Sequence, residues 1–149
     1  MSLISVFDVI GPNMVGPSSS HTAGAASVAL MAQKLFQKEI KEVVFTLYGS
    51  FAKTYRGHGT DRALVGGIMG FDTDDLRIRD SFQIAQERGL KYHFEKNTVE
   101  DEVHPNTVDI CMTGKDGSVM TVRGVSVGGG KIKIVRMNGV NVEFTGEYS

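Results

Sequence analysis

Four short polar stretches hold the side chains able to do chemistry. In 15-VGPSSSHTAGA-25, Ser18, Ser19, Ser20, His21 and Thr22 form an unbroken run of hydrogen-bonding groups ahead of an alanine-rich segment. If that segment is a helix, its first turn offers unpaired N–H groups and a partial positive charge. Such a terminus seats a carboxylate or phosphate, and the hydroxyls add donors around it. The plainer alternative is one capping serine with the others solvated; a cap needs only one hydroxyl, which leaves the rest of the run and His21 without a reason. In 57-GHGTDRA-63, Gly57 and Gly59 flank His58, so backbone can approach closely and the imidazole has little cover. An imidazole with an ordinary pKa near ~6.5 accepts a proton at neutral pH; the alternative is a surface histidine in a glycine turn. In 104-HPNT-107, Pro105 fixes the backbone between His104 and Asn106, so that an imidazole and an amide can be presented together, or the stretch is a turn leading into a strand. In 126-SVGGGKI-132, three glycines beside a lysine resemble an anion-binding nest without P-loop spacing; a wide hairpin loop or bulge is the alternative.

No metal site is assigned. His21, His58 and His104 lack HExxH or Cys/His pair spacing. His93 falls on the polar side of an alternating strand, and Cys111 reads as a packed, inert strand residue. As the only cysteine, Cys111 excludes an internal disulfide framework and cannot hold an iron–sulfur cluster, which takes about four thiolates.

The elements that must position these groups follow from periodicity. The chain has 149 residues, 41% hydrophobic and 22% charged, which suits one globular domain over 1–149. Net charge is −1 with no block of like charges, so there is no basic stripe for nucleic acid. The start, 1-MSLISVFDVI-10, has neither the basic flank of a signal peptide nor the length of a membrane span; with the lone cysteine this predicts a cytoplasmic protein. Ala25, Val28, Ala29, Ala32, Leu35 and Phe36 lie at helical spacing. The run 41–49 reads as a strand ending at Gly49, and 50-SFAKTYRGHGTD-61 has no assignable pattern. A helix returns from Asp61 with Leu64, Val65, Ile68 and Met69 on one side. Another spans 73–89, with Thr73 as N-cap and Gly89 as the stop. Beyond it the period becomes two: Leu90/Tyr92/Phe94, Val108/Ile110/Met112, 119–123, 131–135 and 140–144, with hairpin turns at Asp116-Gly117 and Asn138-Gly139. Helices first and antiparallel strands second predict an α+β fold, helices packed on one face of a mostly antiparallel sheet.

Together, 5-SVFDVIGPNMVGPSSSHTAGA-25, 48-YGSFAKTYRGHGTDRALVGG-67, 104-HPNT-107 and 126-SVGGGKI-132 closely resemble the β subunit (β domain) of bacterial iron–sulfur-dependent L-serine dehydratase, over essentially the whole chain. The resemblance implies conversion of L-serine to pyruvate and ammonia in serine catabolism and gluconeogenesis. It implies a [4Fe–4S] cluster held by an α subunit and not by this chain, with one iron acting as Lewis acid on the serine hydroxyl. His58 is then expected as the base for the α-proton and His21 as a group near the substrate or its leaving hydroxyl. Ser18, Ser19, Ser20 and Thr22 would hold the substrate carboxylate, and His104 and Asn106 would complete the polar wall. The implied partners are L-serine and the α subunit, with a homo-oligomer as an alternative assembly. The implied fold resembles the allosteric substrate-binding domain of some phosphoglycerate dehydrogenases. That likeness carries the competing reading of a non-catalytic domain sensing a small anion or amino acid. Two-chain β subunits of this kind continue into a regulatory ACT domain, and this sequence stops at 143-EFTGEYS-149, where that domain would start: either the sequence is cut short there or this member lacks the module. An interface with the α subunit predicts uncovered apolar groups at Met14 and Val15 and a loosely ordered 11–20 segment.

Overall fold

The computed structural model describes residues 18–56, 59–100, 102–128 and 131–147; Met14 and Val15 lie outside them. The fold is α+β. Helix α1 (Ser18–Phe36) is followed by strand β1 (Ile40–Tyr48), helices α2 (Gly49–Thr54), α3 (Thr60–Ile68) and α4 (Ser81–Arg88), then strands β2 (Lys91–Asn97), β3 (Thr107–Gly114), β4 (Val119–Gly128), β5 (Lys131–Met137) and β6 (Val140–Glu147). The strands form one sheet in the order β2-β1-β3-β4-β5-β6. All its pairings are antiparallel except β1 with β2. Among the described residues no helix is long and apolar enough to cross a membrane.

The helices cover one face. Val43, Phe45 and Leu47 of β1, Val108, Ile110 and Met112 of β3, and Val122 of β4 are fully buried, so the alternation read from the sequence points these residues at the helical layer. From α1 come Ala25, Ala26, Val28, Ala29 and Ala32; from α3 come Ala63, Leu64, Val65 and Ile68. Small residues let these two helices approach closely. A Cβ on Gly67 would stand 2.5 Å from the Ala26 carbonyl oxygen and 2.7 Å from Ala29 Cβ. The glycines that weaken the sequence pattern of α3 are therefore its packing surface. Because the obstacle is backbone, Gly67→Ala should destabilise the fold by about 1–3 kcal/mol, read as a lowered urea midpoint at unchanged slope.

Three expectations change on folding. The segment 73–89 is not one helix capped by Thr73: Leu76–Asp80 is a 3-10 turn, and α4 begins only at Ser81. The cap is Asp75, whose carboxylate accepts the Arg77 N–H at 2.9 Å and grips the Arg77 guanidinium at 2.7 Å. Gly89 does end α4, at φ 75°. The unassigned stretch after Gly49 contains the short helix α2, which buries Phe51 and Ala52. Lastly, β2 runs parallel to β1, reached by a crossover through α2, α3 and α4. Its Tyr92 and Phe94 pack on Phe82 of α4, the Phe82 and Tyr92 rings stacking at 5.1 Å. His93, on the other side, pairs with Glu42 at 3.1 Å and is largely exposed.

Candidate active site

Described residues from each of the four polar stretches lie toward one end of this sheet, where backbone bonds tie 104–107 to Ser50 and Ser126 and a close approach brings Gly59 to Thr22. Tyr48 ends β1 and Gly49 opens α2 at φ 53°, a left-handed turn that glycine tolerates. The Ser50 N–H donates to the Pro105 carbonyl oxygen at 2.7 Å, so the start of α2 is capped by the 104–107 turn. Within that turn the Asn106 N–H donates to His104 Nδ1 at 3.0 Å, and Thr107 Oγ1 donates to the His104 carbonyl at 2.6 Å. Across the sheet the Ser126 N–H donates to the Asn106 carbonyl at 3.1 Å. Thus 48-YGS, 104-HPNT and the start of 126-SVGGGKI form one continuous hydrogen-bonded edge. The glycine stretch is the β4–β5 hairpin, with a register shift between Ser126 and Gly128; Gly129 and Gly130 lie outside the described residues.

The remaining two stretches meet each other. Gly59, at φ 91°, precedes α3, and a Cβ there would stand 3.3 Å from Thr22 Oγ1 in α1. His21 and His58 are each one peptide bond from this contact; the side chains of Ser18, Ser19, Ser20 and His21, and the whole of His58, lie outside the described residues. Helix α1 is laid antiparallel to β4: Phe36 reaches Gly114, where β3 turns toward β4, while Val28 packs on Gly124. At about 1.5 Å per residue, the first turn of α1 therefore lies beyond Val28 toward the Ser126–Gly128 end. No acidic side chain occupies that first turn. Only α2, six residues and about 9 Å long, separates the Gly49–Pro105 junction from the segment leading to Gly59.

Two buried polar atoms in this region, Asn106 Oδ1 and Thr60 Oγ1, have no hydrogen-bond partner among the described residues. Orphaned buried groups are uncommon and costly. His104 is exposed, and its Nδ1 is already used as an acceptor. The neutral ring therefore carries its proton on Nε2 and offers a donor to the surface. Of the residues singled out in the sequence, Thr22, His104 and Asn106 are those whose side chains are described.

Composition did not reveal the cluster beneath this edge. Arg123, 8% exposed, forks onto Asp109, with Nε at 2.8 Å and Nη2 at 3.0 Å from its two carboxylate oxygens. Tyr48 Oη donates to Asp109 Oδ2 at 2.6 Å, and Arg123 Nη2 lies 3.1 Å from Tyr48 Oη. Arg123 Nη1 faces Glu100 at 3.8 Å. Its hydrogen bonds to Asp109 hold the guanidinium above its ordinary range despite burial. Burial first, then the hydrogen bond to Asp109, raises the Tyr48 phenol, outweighing the charge of Arg123. A proton held more tightly in the folded state stabilises fully below the unfolded pKa near ~10 and is lost as pH rises through the folded value. Tyr48→Phe should therefore flatten the fall in stability above about pH 10 relative to the wild type, measured by urea unfolding at pH 9 and pH 11.

The profile of the serine dehydratase beta chain family matches residues 5–136. The chain is 52% identical to the L-serine dehydratase beta chain of Peptoniphilus asaccharolyticus, over 100% of this chain and 67% of that protein. It is 47% identical to a probable L-serine dehydratase beta chain of Bacillus subtilis, over 99% of this chain and 66% of that one. Against L-serine dehydratase 1 of Escherichia coli the identity is 30%, over 87% of this chain and 33% of the relative. The chain thus spans about two thirds of the length of the beta chains it matches. A match of this extent shows that the chain, with its α+β fold, belongs to the serine dehydratase beta chain family.

Proposed function

We propose that this chain supplies the polar wall of an L-serine dehydratase active site that an α chain completes. The observation that carries the reading is the convergence just described: Ser50 on Pro105, Ser126 on Asn106, and Gly59 against Thr22, with His21 and His58 adjoining the last contact. The reaction removes the α-proton and β-hydroxyl of L-serine; the resulting enamine tautomerises to an imine, which hydrolyses to pyruvate and ammonia. His58 takes the α-proton, and His21 attends the leaving hydroxyl. Ser18, Ser19, Ser20 and Thr22, at a helix N-terminus free of acidic side chains, hold the substrate carboxylate. His104 donates through Nε2, and Asn106 Oδ1, an acceptor with no partner among the described residues, suits an N–H donor such as the substrate ammonium.

A [4Fe–4S] cluster does not suit this chain's own residues. Cys111 sits mid-strand on β3 between Val44 and Thr121, and the described residues contain no group of three or more His, Cys, Asp or Glu placed to share a metal. In this reading the α chain carries the cluster, which when bound supplies a Lewis acid for the hydroxyl. The test is anaerobic mixing of this chain with its α partner and a pyruvate assay from L-serine. Pyruvate formed only in the mixture supports the proposal. Tight serine binding by this chain alone, without effect on the partner's turnover, would replace it with a sensing role.

A further inference from the structure

Arg123 makes contacts that net stability does not explain. A buried ion pair is often no more stabilising than apolar side chains of the same volume; what it adds is fixed direction. The directions here converge on one turn. Tyr48 immediately precedes Gly49, whose helix is capped by Pro105. Asp109 stands two residues beyond Thr107, which bonds the His104 carbonyl. Arg123 itself lies three residues before Ser126, which bonds the Asn106 carbonyl. Glu100 lies on the segment leading to His104. One guanidinium therefore links every strand end and connection that makes the bonds of the 104–107 turn. Its charge is also spoken for: Nε and Nη2 lie on Asp109, Nη2 reaches Tyr48 Oη as well, and Nη1 faces Glu100. It is not presented as a substrate anion site.

We propose that Arg123 is a positioning residue for the 104–107 turn, setting the placement of His104 and Asn106 through Asp109, Tyr48 and Glu100. Naming that turn part of a substrate site rests on the dehydratase reading; the positioning is a property of this chain alone and is tested first there. In the ¹⁵N-labelled chain, Tyr48→Phe and Glu100→Gln each remove one arm of the network while leaving the Asp109–Arg123 fork. Tyr48→Phe should lower hydrogen-exchange protection of the Asn106 and Ser126 amides about five- to tenfold and shift the His104 Nδ1 resonance. Glu100→Gln should do the same more weakly. Amides at the opposite end of the sheet, Gly114 and Lys115, should keep their protection in both. Arg123→Lys, which keeps the charge but loses the fork, should not restore the wild-type pattern. Unchanged Asn106, Ser126 and His104 signals in both single variants would overturn the proposal. So would an equal loss at both ends of the sheet, which would make the network a general stabiliser. With the α partner, Tyr48→Phe should raise KM for serine about tenfold and change kcat by less than about threefold, because ground-state placement is what is lost. If the wild-type mixture makes no pyruvate, the dehydratase reading fails, and the amide and imidazole signals still decide the positioning role.

Discussion

His58→Ala should lower serine turnover by the reconstituted enzyme about 10²–10⁴-fold, the contribution of a positioned general base. The loss should fall on kcat, because proton transfer is made in the transition state, whereas the proposed site leaves substrate binding to the hydroxyls of α1 and to the 104–107 turn. The fold should survive: Gly59 still turns the chain into α3, and the Asp61 N–H still donates to the Tyr55 carbonyl at 3.1 Å. The thermal midpoint of the variant should therefore lie near that of the wild type. Turnover within a few-fold of wild type would remove His58 from the base role.

Gly49→Ala should damage both fold and activity. The residue sits at φ 53°, where a side chain costs about 1–2 kcal/mol. Its Cβ would stand 2.5 Å from Pro105 Cα and 2.6 Å from the Pro105 carbonyl oxygen, backbone atoms that cannot rotate away. Separating α2 from the turn breaks the bond from Ser50 to Pro105, so the total destabilisation should be about 2–4 kcal/mol in urea unfolding. At a temperature where the variant is still folded, turnover with the α partner should fall about 10²-fold, the scale of a 1 Å misplacement in a catalytic constellation. A variant as stable as wild type would mean that Gly49 and Pro105 are not in contact; a destabilised but fully active one would place the 104–107 turn outside the site.

Much of this fold was legible in the sequence, for identifiable reasons. Strands β3 and β5 alternate because one face meets helices and the other does not, and Asn138-Gly139 turns at φ 51° and 81° as such a pair does in a tight hairpin. Helix α1 showed its stripe because Val28, Ala29 and Ala32 all meet the core. The parallel β1–β2 pairing was not legible: alternation in Leu90, Tyr92 and Phe94 gives the buried face and carries no strand direction. Thr73 lost to Asp75 because three aspartates crowd that segment and only Asp75 can also grip Arg77. The candidate site was half legible. Residue types pointed to His104, Asn106 and Thr22, but the bonds that assemble the 104–107 turn run through Pro105, Asn106 and Ser126 backbone, which every sequence possesses, and Thr22 is placed by the approach of Gly59. Asp109 and Arg123 become partners only once the β3–β4 register sets them opposite each other, and Tyr48 joins them from β1.

The lone parallel pairing has a kinetic corollary. The β3–β4, β4–β5 and β5–β6 hairpins close over short connections, whereas β2 reaches β1 only after residues 49–90 have been threaded into α2, α3 and α4. Closing that long loop costs entropy before any contact rewards it, so the meander should nucleate early and the β2 edge dock late. The segment bearing Gly59 travels with the slow half, and the 104–107 turn belongs to the fast one. The ability to complete the proposed site with the α chain should thus appear as the final event of maturation, lagging behind the bulk gain of secondary structure.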